Sequence, residues 1–326
     1  MNRDRNLLVE TRGLKKYFYQ SGGQFWKKVI QIKAVDDVSL EIRAGETLGL
    51  VGESGCGKST LARLVMGLEK PTAGEISFAG KNIHSHSKEE WREFRSKVQI
   101  IFQDPYASLN PRRTAGQTVG EPFHIRKRRL SKQDIDRHIE GMLKIVGLGP
   151  EHHSRYPHEF SGGQRQRIGI ARAISVQPTL IVADEPVSAL DVSVQAQILN
   201  LLKDLQDNLR LTYLFISHNL GVVRHMSDRV AVMYLGRIVE TGFNEDIFRS
   251  PRHPYTRLLL SAVLEPHGKG WEKTIMGEEK KNVVPRPGMC RFYPRCPNAD
   301  ARCLLEEPHL VSVEQGHEVA CHLGCN

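Results

Sequence analysis

The sequence predicts an α/β fold around a buried, mostly parallel sheet, on three observations. Thr47-Leu-Gly-Leu-Val51, Thr179-Leu-Ile-Val-Ala183 and Leu211-Thr-Tyr-Leu-Phe-Ile216 are short apolar runs, as in strands covered on both faces. Helix-period stretches flank them: Leu61, Leu64, Val65 and Leu68 after the first run, and Val194, Ile198, Leu201, Leu202, Leu205 and Leu209 before the last. Between the first run and its helix stands Gly52-Glu-Ser-Gly-Cys-Gly-Lys-Ser-Thr60, which fits the pattern G-x-x-x-x-G-K-[ST].

A loop that joins a buried strand to a helix N-terminus turns successive backbone N–H groups onto one anion, and the helix dipole favours negative charge there. Gly52, Gly55 and Gly57 let the backbone come close to a phosphate, with Ser54, Cys56 and Thr60 as further loop residues. Lys58 is placed to reach the β- and γ-phosphates and the Ser59 hydroxyl to ligate Mg²⁺, so the expected ligand is a nucleoside triphosphate.

At 326 residues and 36.9 kDa the chain can bury a full core and form about two domains. No apolar run reaches the ~18 residues of a membrane span. The N-terminus Met-Asn-Arg-Asp-Arg is charged, so neither secretion nor a spanning helix is expected. A net charge of +9 and a pI near 9.3 suit an acidic partner such as nucleic acid or an anionic membrane face. The densest basic run, Ile125-Arg-Lys-Arg-Arg-Leu130, has no interleaved aromatic residue and reads as a solvated helix end or loop. Six cysteines without a signal peptide argue against a disulfide framework, and five of them fall after residue 289, which points to a local metal site.

Taken in order, residues 6–51 alternate apolar and polar positions (Leu7-Leu-Val9, Ile30 to Ile32, Val38-Ser-Leu-Glu-Ile42), predicting a mostly antiparallel patch with Tyr17 and Phe18 near its start and Gly22-Gly23 behind them. Lys70-Pro-Thr-Ala-Gly-Glu75 is a turn before a strand at Ile76 to Phe78. Val98-Gln-Ile-Ile-Phe102 is a further strand with Gln103 just past its end, where ligands gather in open α/β sheets. From about 105 to 165 the pattern is helical and charged, with Ile135, Ile139, Met142, Leu143 and Val146 at helical spacing, and predicts an inserted helical subdomain. Ser161-Gly162-Gly163-Gln164 opens its last helix and offers N–H groups to an anion, a weak signal by itself.

The run at 179–183 delivers Asp184 and Glu185 to its C-terminal end. Adjacent side chains on a strand face opposite ways, so the two cannot do the same job. Asp184 suits the Mg²⁺ shell and Glu185 a general base. His218, after the last strand, reaches the same sheet edge as Gln103 and Glu185 and is placed for a γ-phosphate contact.

In this order, the phosphate loop, Gln103, Ser161-Gly-Gly-Gln164, Asp184-Glu185, Ser188-Ala-Leu-Asp191 and His218 resemble the nucleotide-binding subunit of an ATP-binding cassette (ABC) transporter over about residues 6–265. The resemblance implies a P-loop NTPase (RecA-like) core with an antiparallel β subdomain and an inserted α-helical subdomain, spanning 1–265, followed by a Cys-rich C-terminal domain at 266–326. It gives the motifs their roles: Walker A at Gly52 to Thr60, the Q-loop at Gln103, the signature at Ser161 to Gln164 acting in trans, Walker B at Asp184 with the catalytic Glu185, the D-loop with Asp191, and the H-switch at His218. Mg²⁺ would be held by Ser59, Gln103 and Asp184, and the adenine stacked on Phe18, with Tyr17 as the alternative. Phe160 stands for the usual Leu and Val187 for the usual Thr, both of similar character.

Phe102-Gln-Asp-Pro-Tyr-Ala-Ser-Leu-Asn-Pro111, Arg252-His-Pro-Tyr-Thr-Arg-Leu-Leu259 and the tail look like the dipeptide/oligopeptide and nickel importer ATPases. That implies a cytoplasmic-face ATPase with two permease subunits, a second related ATPase or a second copy, and an external solute-binding protein, with no nucleic acid. The alternative is a soluble ABC ATPase acting on nucleic acid or ribosomes. Pro285-Arg-Pro-Gly288 leads into the tail, where Cys290, Cys296, Cys303 and Cys321 have five, six and seventeen residues between them, gaps that fit no C-x₂₋₄-C zinc pair. The resemblance implies a [4Fe–4S] cluster on these four thiolates, zinc being the alternative, with Cys325 spare.

Overall fold

A computed structural model describes residues 7–21, 29–126, 131–264 and 286–324. Gly22-Gly23, residues 127–130 of the basic run, Pro285, Cys325 and the expected boundary at 265/266 lie outside them. The N-terminal patch is a four-stranded antiparallel sheet in which β1 (Leu7–Ser21) lies between β2 (Val29–Arg43) and β4 (Ala73–Phe78), with β5 (Lys81–Asn82) at the edge. Its apolar-in alternation buries Val9, Leu14, Val38, Leu40 and Ile42, as the sequence pattern expects.

The central sheet has β3 (Thr47–Val51) in its middle, parallel both to β8 (Thr212–Ile216) and to β9 (Arg229–Tyr234). β7 (Leu180–Asp184) and β6 (Val98–Ile101) continue the parallel side. On the other side β10 (Arg237–Phe243), β12 (His317–Val319) and β11 (Val311–Glu314) run antiparallel. Every residue of β3 and β8 is buried because helices and the smaller sheet cover both faces: Tyr213 and Phe215 join one core, Leu214 and Ile216 the other.

Among the helices, α1 (Lys58–Val65) follows the phosphate loop and α2 (Lys88–Lys97) starts in a capping box of Ser87 and Glu90. α3 (Ala115–Arg126), α4 (Lys132–Ile145) and α5 (Gly162–Ile174) form the inserted subdomain, whose buried Val119, Ile139, Leu143, Val146 and Ile168 continue the main core. α6 (Val192–Leu209), α7 (Leu220–Met226), α8 (Asn244–Arg249) and α9 (Pro254–Leu264) complete the layers. Two apolar positions depart from expectation. Leu68 is 65% exposed because α1 ends at Val65 and the chain turns at Gly67 with φ 65°, and Leu209 is 46% exposed at the last turn of α6.

The tail is sewn into this sheet. Glu240 of β10 pairs with Val319 of β12, and its buried carboxylate accepts from the N–H groups of Arg252 (2.7 Å) and His253 (3.0 Å) and from His317 Nε2 (2.8 Å). Burial alone would raise the Glu240 carboxyl, but the hydrogen bonds it accepts outweigh it and hold the pKa below its ordinary range. No described helix is long and apolar enough to cross a membrane.

Candidate active site

A cleft of roughly 1060 Å³ lies over the C-terminal ends of β3 and β7 and is floored by the phosphate loop. Gly52 and Gly57 have φ of 152° and 114°, and a Cβ there would stand 2.2 Å from the Met233 carbonyl oxygen or 2.0 Å from that of Ala34. Only glycine fits such backbone contact. Gly57 caps α1 without a side-chain hydrogen bond, which leaves the first-turn N–H groups facing the cleft. Lys58 Nζ donates to the carbonyls of Gly52 (2.7 Å) and Glu53 (2.9 Å), so the ammonium is held across the loop. Ser54, Gly55, Cys56, Ser59 and Thr60 also line the cleft; burial pushes the Cys56 thiol upward in pKa, so it packs as a neutral group.

Three residues from separate strand ends meet at the cleft's rim. Glu185 follows β7 in a left-handed conformation, φ 49°, with its N–H on the Ile216 carbonyl at 2.9 Å. Its Oε2 accepts from Gln103 Nε2 at 3.0 Å and stands 3.1 Å from His218 Nδ1. Asp184 points elsewhere, as the opposed roles require: its carboxyl hydrogen-bonds with Ser59, and burial, then the Glu185 charge, raises its pKa. The hydroxyl, carboxylate and amide oxygens of Ser59, Asp184 and Gln103 are hard donors of the kind Mg²⁺ takes. Gln166, not singled out from sequence, donates to the carbonyls of Phe102 (3.3 Å) and Pro186 (2.8 Å) and so ties α5 to the approaches of both Gln103 and Glu185.

The Ser-Gly-Gly-Gln start of α5 is elsewhere on the molecule. Ser161 and Gln164 form a reciprocal capping box (Gln164 N–H to Ser161 Oγ 3.3 Å, Ser161 N–H to Gln164 Oε1 3.0 Å). A Cβ on Gly162 would touch Leu190 at 3.4 Å and one on Gly163 would stand 2.5 Å from Val194 Cγ1, while Asp191 holds the N-cap position of α6 without a side-chain hydrogen bond. None of residues 161–164 lines the cleft of its own chain.

The two aromatic candidates on β1 lie differently. Phe18 is 39% exposed and does not line the cleft. Tyr17, its neighbour on β1, does, because successive strand residues face opposite ways and the phosphate loop lies on the Tyr17 side. Tyr17 donates its hydroxyl to Asp36, and burial together with that carboxylate pushes its pKa up to about 12. Sequence reasoning also missed the tail's contribution: Arg286, Pro287, Gly288, Met289 and Arg291 line the same cleft. No motif signals them.

The metal site expected in the tail finds no support. Among the described residues, no group of three or more His, Cys, Asp or Glu side chains is placed to hold a metal ion. Cys290, Cys296, Cys303 and Cys321 are nevertheless neighbours: burial, and then the charges of the other three, pushes the Cys290 thiol up to about 12. The Cys290 N–H donates to the Cys303 carbonyl at 2.8 Å.

Fold and cleft together define a P-loop nucleotide-binding cassette. A family model described as "ABC transporter" matches residues 35–188, and one described as "Oligopeptide/dipeptide transporter, C-terminal region" matches 239–303. The "Oligopeptide transport ATP-binding protein AppF" of Bacillus subtilis is 48% identical over 324 residues, covering 98% of both chains. The "Di/tripeptide transport ATP-binding protein DppF" of Pseudomonas aeruginosa is 49% identical, covering 97% of both. Among solved structures, the dimeric ATP-binding cassette MJ0796 bound to ADP and Pi is 28% identical, with a TM-score of 0.64 over 73% of this chain and 99% of that one. The chain belongs to the ABC transporter family, in the branch of the oligopeptide and dipeptide transport ATP-binding proteins. These relatives lend no support to the alternative of an ATPase acting on nucleic acid or ribosomes.

Proposed function

We propose that this chain hydrolyses ATP to power import of di- and oligopeptides, at the cytoplasmic face of a membrane that holds two permease subunits. The observation that carries the reading is the convergence of Gln103 and His218 on one oxygen of Glu185 beside the phosphate loop. The loop N–H groups and Lys58 bind the triphosphate, and Tyr17 takes the adenine in place of Phe18. Ser59, Asp184 and Gln103 would hold Mg²⁺, which would supply charge neutralisation to the triphosphate. Glu185 takes the proton of the attacking water, Gln103 and His218 fix its carboxylate, and His218 meets the γ-phosphate.

Residues 161–164 do not reach their own chain's cleft, so a second cassette supplies its signature to this site, and this chain's Ser161 to Gln164 serve the partner in trans. The relative solved with ADP and Pi is dimeric, which supports that pairing. The partner here is a second homologous ATPase or a second copy. An external binding protein delivers the solute. Motion at Gln103 passes to α3–α5 through Gln166 of α5, which donates to the carbonyl of Phe102 just before the Q-loop. No step runs through a tail metal. Anaerobic purification of the tagged chain from separated membrane and soluble fractions tests the assembly. Recovery with two hydrophobic permeases and a cassette partner is expected, whereas recovery only in the soluble fraction with RNA would contradict it. Iron and zinc analysis of that material decides whether the four thiols bind a cluster or an ion.

A further inference from the structure

The C-terminal extension does more than cover the sheet edge. Arg286 to Met289 and Arg291 line the nucleotide cleft together with Lys15, Tyr17 and Lys33, and Arg291 is bound on three sides. It donates to the Leu235 carbonyl and to Asp36 Oδ2, and its Nε donates to Glu307 at 2.7 Å. Asp36 is 3% exposed and accepts the Tyr17 hydroxyl on its other oxygen. Lys33 completes the cluster, 3.4 Å from Asp36 and 5.4 Å from the Tyr17 ring centroid. A second anchor lies nearby: Arg295 makes a two-pronged ion pair (2.9 Å each) with Glu53 of the phosphate loop, whose N–H donates to Tyr255 Oη at 2.9 Å.

We infer that Arg291 of the extension is a positioning residue for the nucleotide site, fixing the base-stacking ring of Tyr17 through Asp36. The inference rests on the reading of the cleft as an ATP site with Tyr17 at its base end. Tyr17 sits where the β1–β2 register shifts, between Lys16 and Tyr17, so the ladder alone does not fix its ring. A buried carboxylate held by a guanidinium does, because both hydrogen bonds are charge-assisted and directional. A ring held in place before binding loses less entropy when the base arrives. Lysine at 291 keeps the charge but cannot serve Leu235, Asp36 and Glu307 at once.

The test is calorimetric titration of the full chain with ATP and, separately, with inorganic tripolyphosphate, which engages the phosphate loop but has no base. Arg291→Ala is expected to raise the ATP Kd about three- to tenfold, part of what a base–aromatic stack supplies, and to leave the tripolyphosphate Kd unchanged. Tyr17→Phe is expected to act alike, the double variant to be no weaker than the weaker single one, and Arg291→Lys to recover part of the loss. Equal ATP affinity in wild type and Arg291→Ala overturns the inference alone. Equal weakening of both ligands in Arg291→Ala also overturns it, since that is general disruption. Failure of the wild-type chain to bind ATP overturns the underlying reading of the site as well.

Discussion

Glu185 holds a left-handed backbone, φ 49°, that costs a residue with a side chain about 1–2 kcal/mol. Its N–H is tied to Ile216 and its carboxylate is shared between Gln103 and His218, so the surroundings impose the conformation and aim Oε2 at the cleft. His218→Ala removes one of the two groups that meet that oxygen and the γ-phosphate contact proposed for the ring. ATP turnover is expected to fall on the order of 10²- to 10³-fold with ATP affinity nearly unchanged, measured by steady-state hydrolysis alongside equilibrium binding. At this scale much was legible in the sequence. Gln103, Asp184, Glu185 and His218 each follow an apolar run, and a strand's C-terminal end is where a parallel sheet presents ligand groups. A two-residue period fixes which residues share a face and leaves open which face meets the phosphate loop, so it does not choose between Phe18 and Tyr17. Arg291 was invisible: its partner Asp36 is 255 residues away in the chain.

Among the elements, α5 is capped at Ser161 by a reciprocal box, so Ser161→Ala is expected to cost about 0.5–2 kcal/mol of stability by denaturant unfolding. The start of α9 carries a pH dependence. Burial pushes the His253 ring down to about 4, and its Nδ1 accepts the Tyr255 N–H at 3.0 Å, which the neutral ring alone can do. An unfolded histidine titrates near 6.5, so the unfolded chain takes up this proton first as pH falls. The stability it contributes is complete above about 6.5 and is lost as pH falls from there to about 4, at up to about 1.4 kcal/mol per pH unit. Glu240, with its carboxyl held low, adds loss at the acid end of that window. His253→Asn keeps an acceptor and removes the titration, so its melting temperature should vary less between those pH values; an unchanged slope would show that His253 is not the titrating group. The strands up to β8, apart from the two-residue β5, and helix α6 were predictable from apolar spacing, whereas β9 and β10 were not singled out. The exposure of Leu68 and Leu209 was not predictable, because periodicity does not say where a helix stops.

For the whole molecule, residues 161–164 lie outside the cleft of their own chain, and the proposed function makes one chain half of each ATP site. In sedimentation, ATP is expected to pair the Glu185→Gln chain with a second copy or with its co-purifying cassette partner. A chain that stays monomeric with both under saturating ATP contradicts the shared site. The extension gave the sequence its least readable part: its cysteines stand out, yet its strands β11 and β12 and its arginines at the cleft depend on pairing with elements far back in the chain.

The most direct test of the central claim, that Glu185 activates water at this cleft, is single-turnover cleavage of ATP by the paired cassette bearing Glu185→Gln. The expected result is ATP bound as in the wild type but cleaved on the order of 10²- to 10⁴-fold more slowly. Cleavage at the wild-type rate would contradict it.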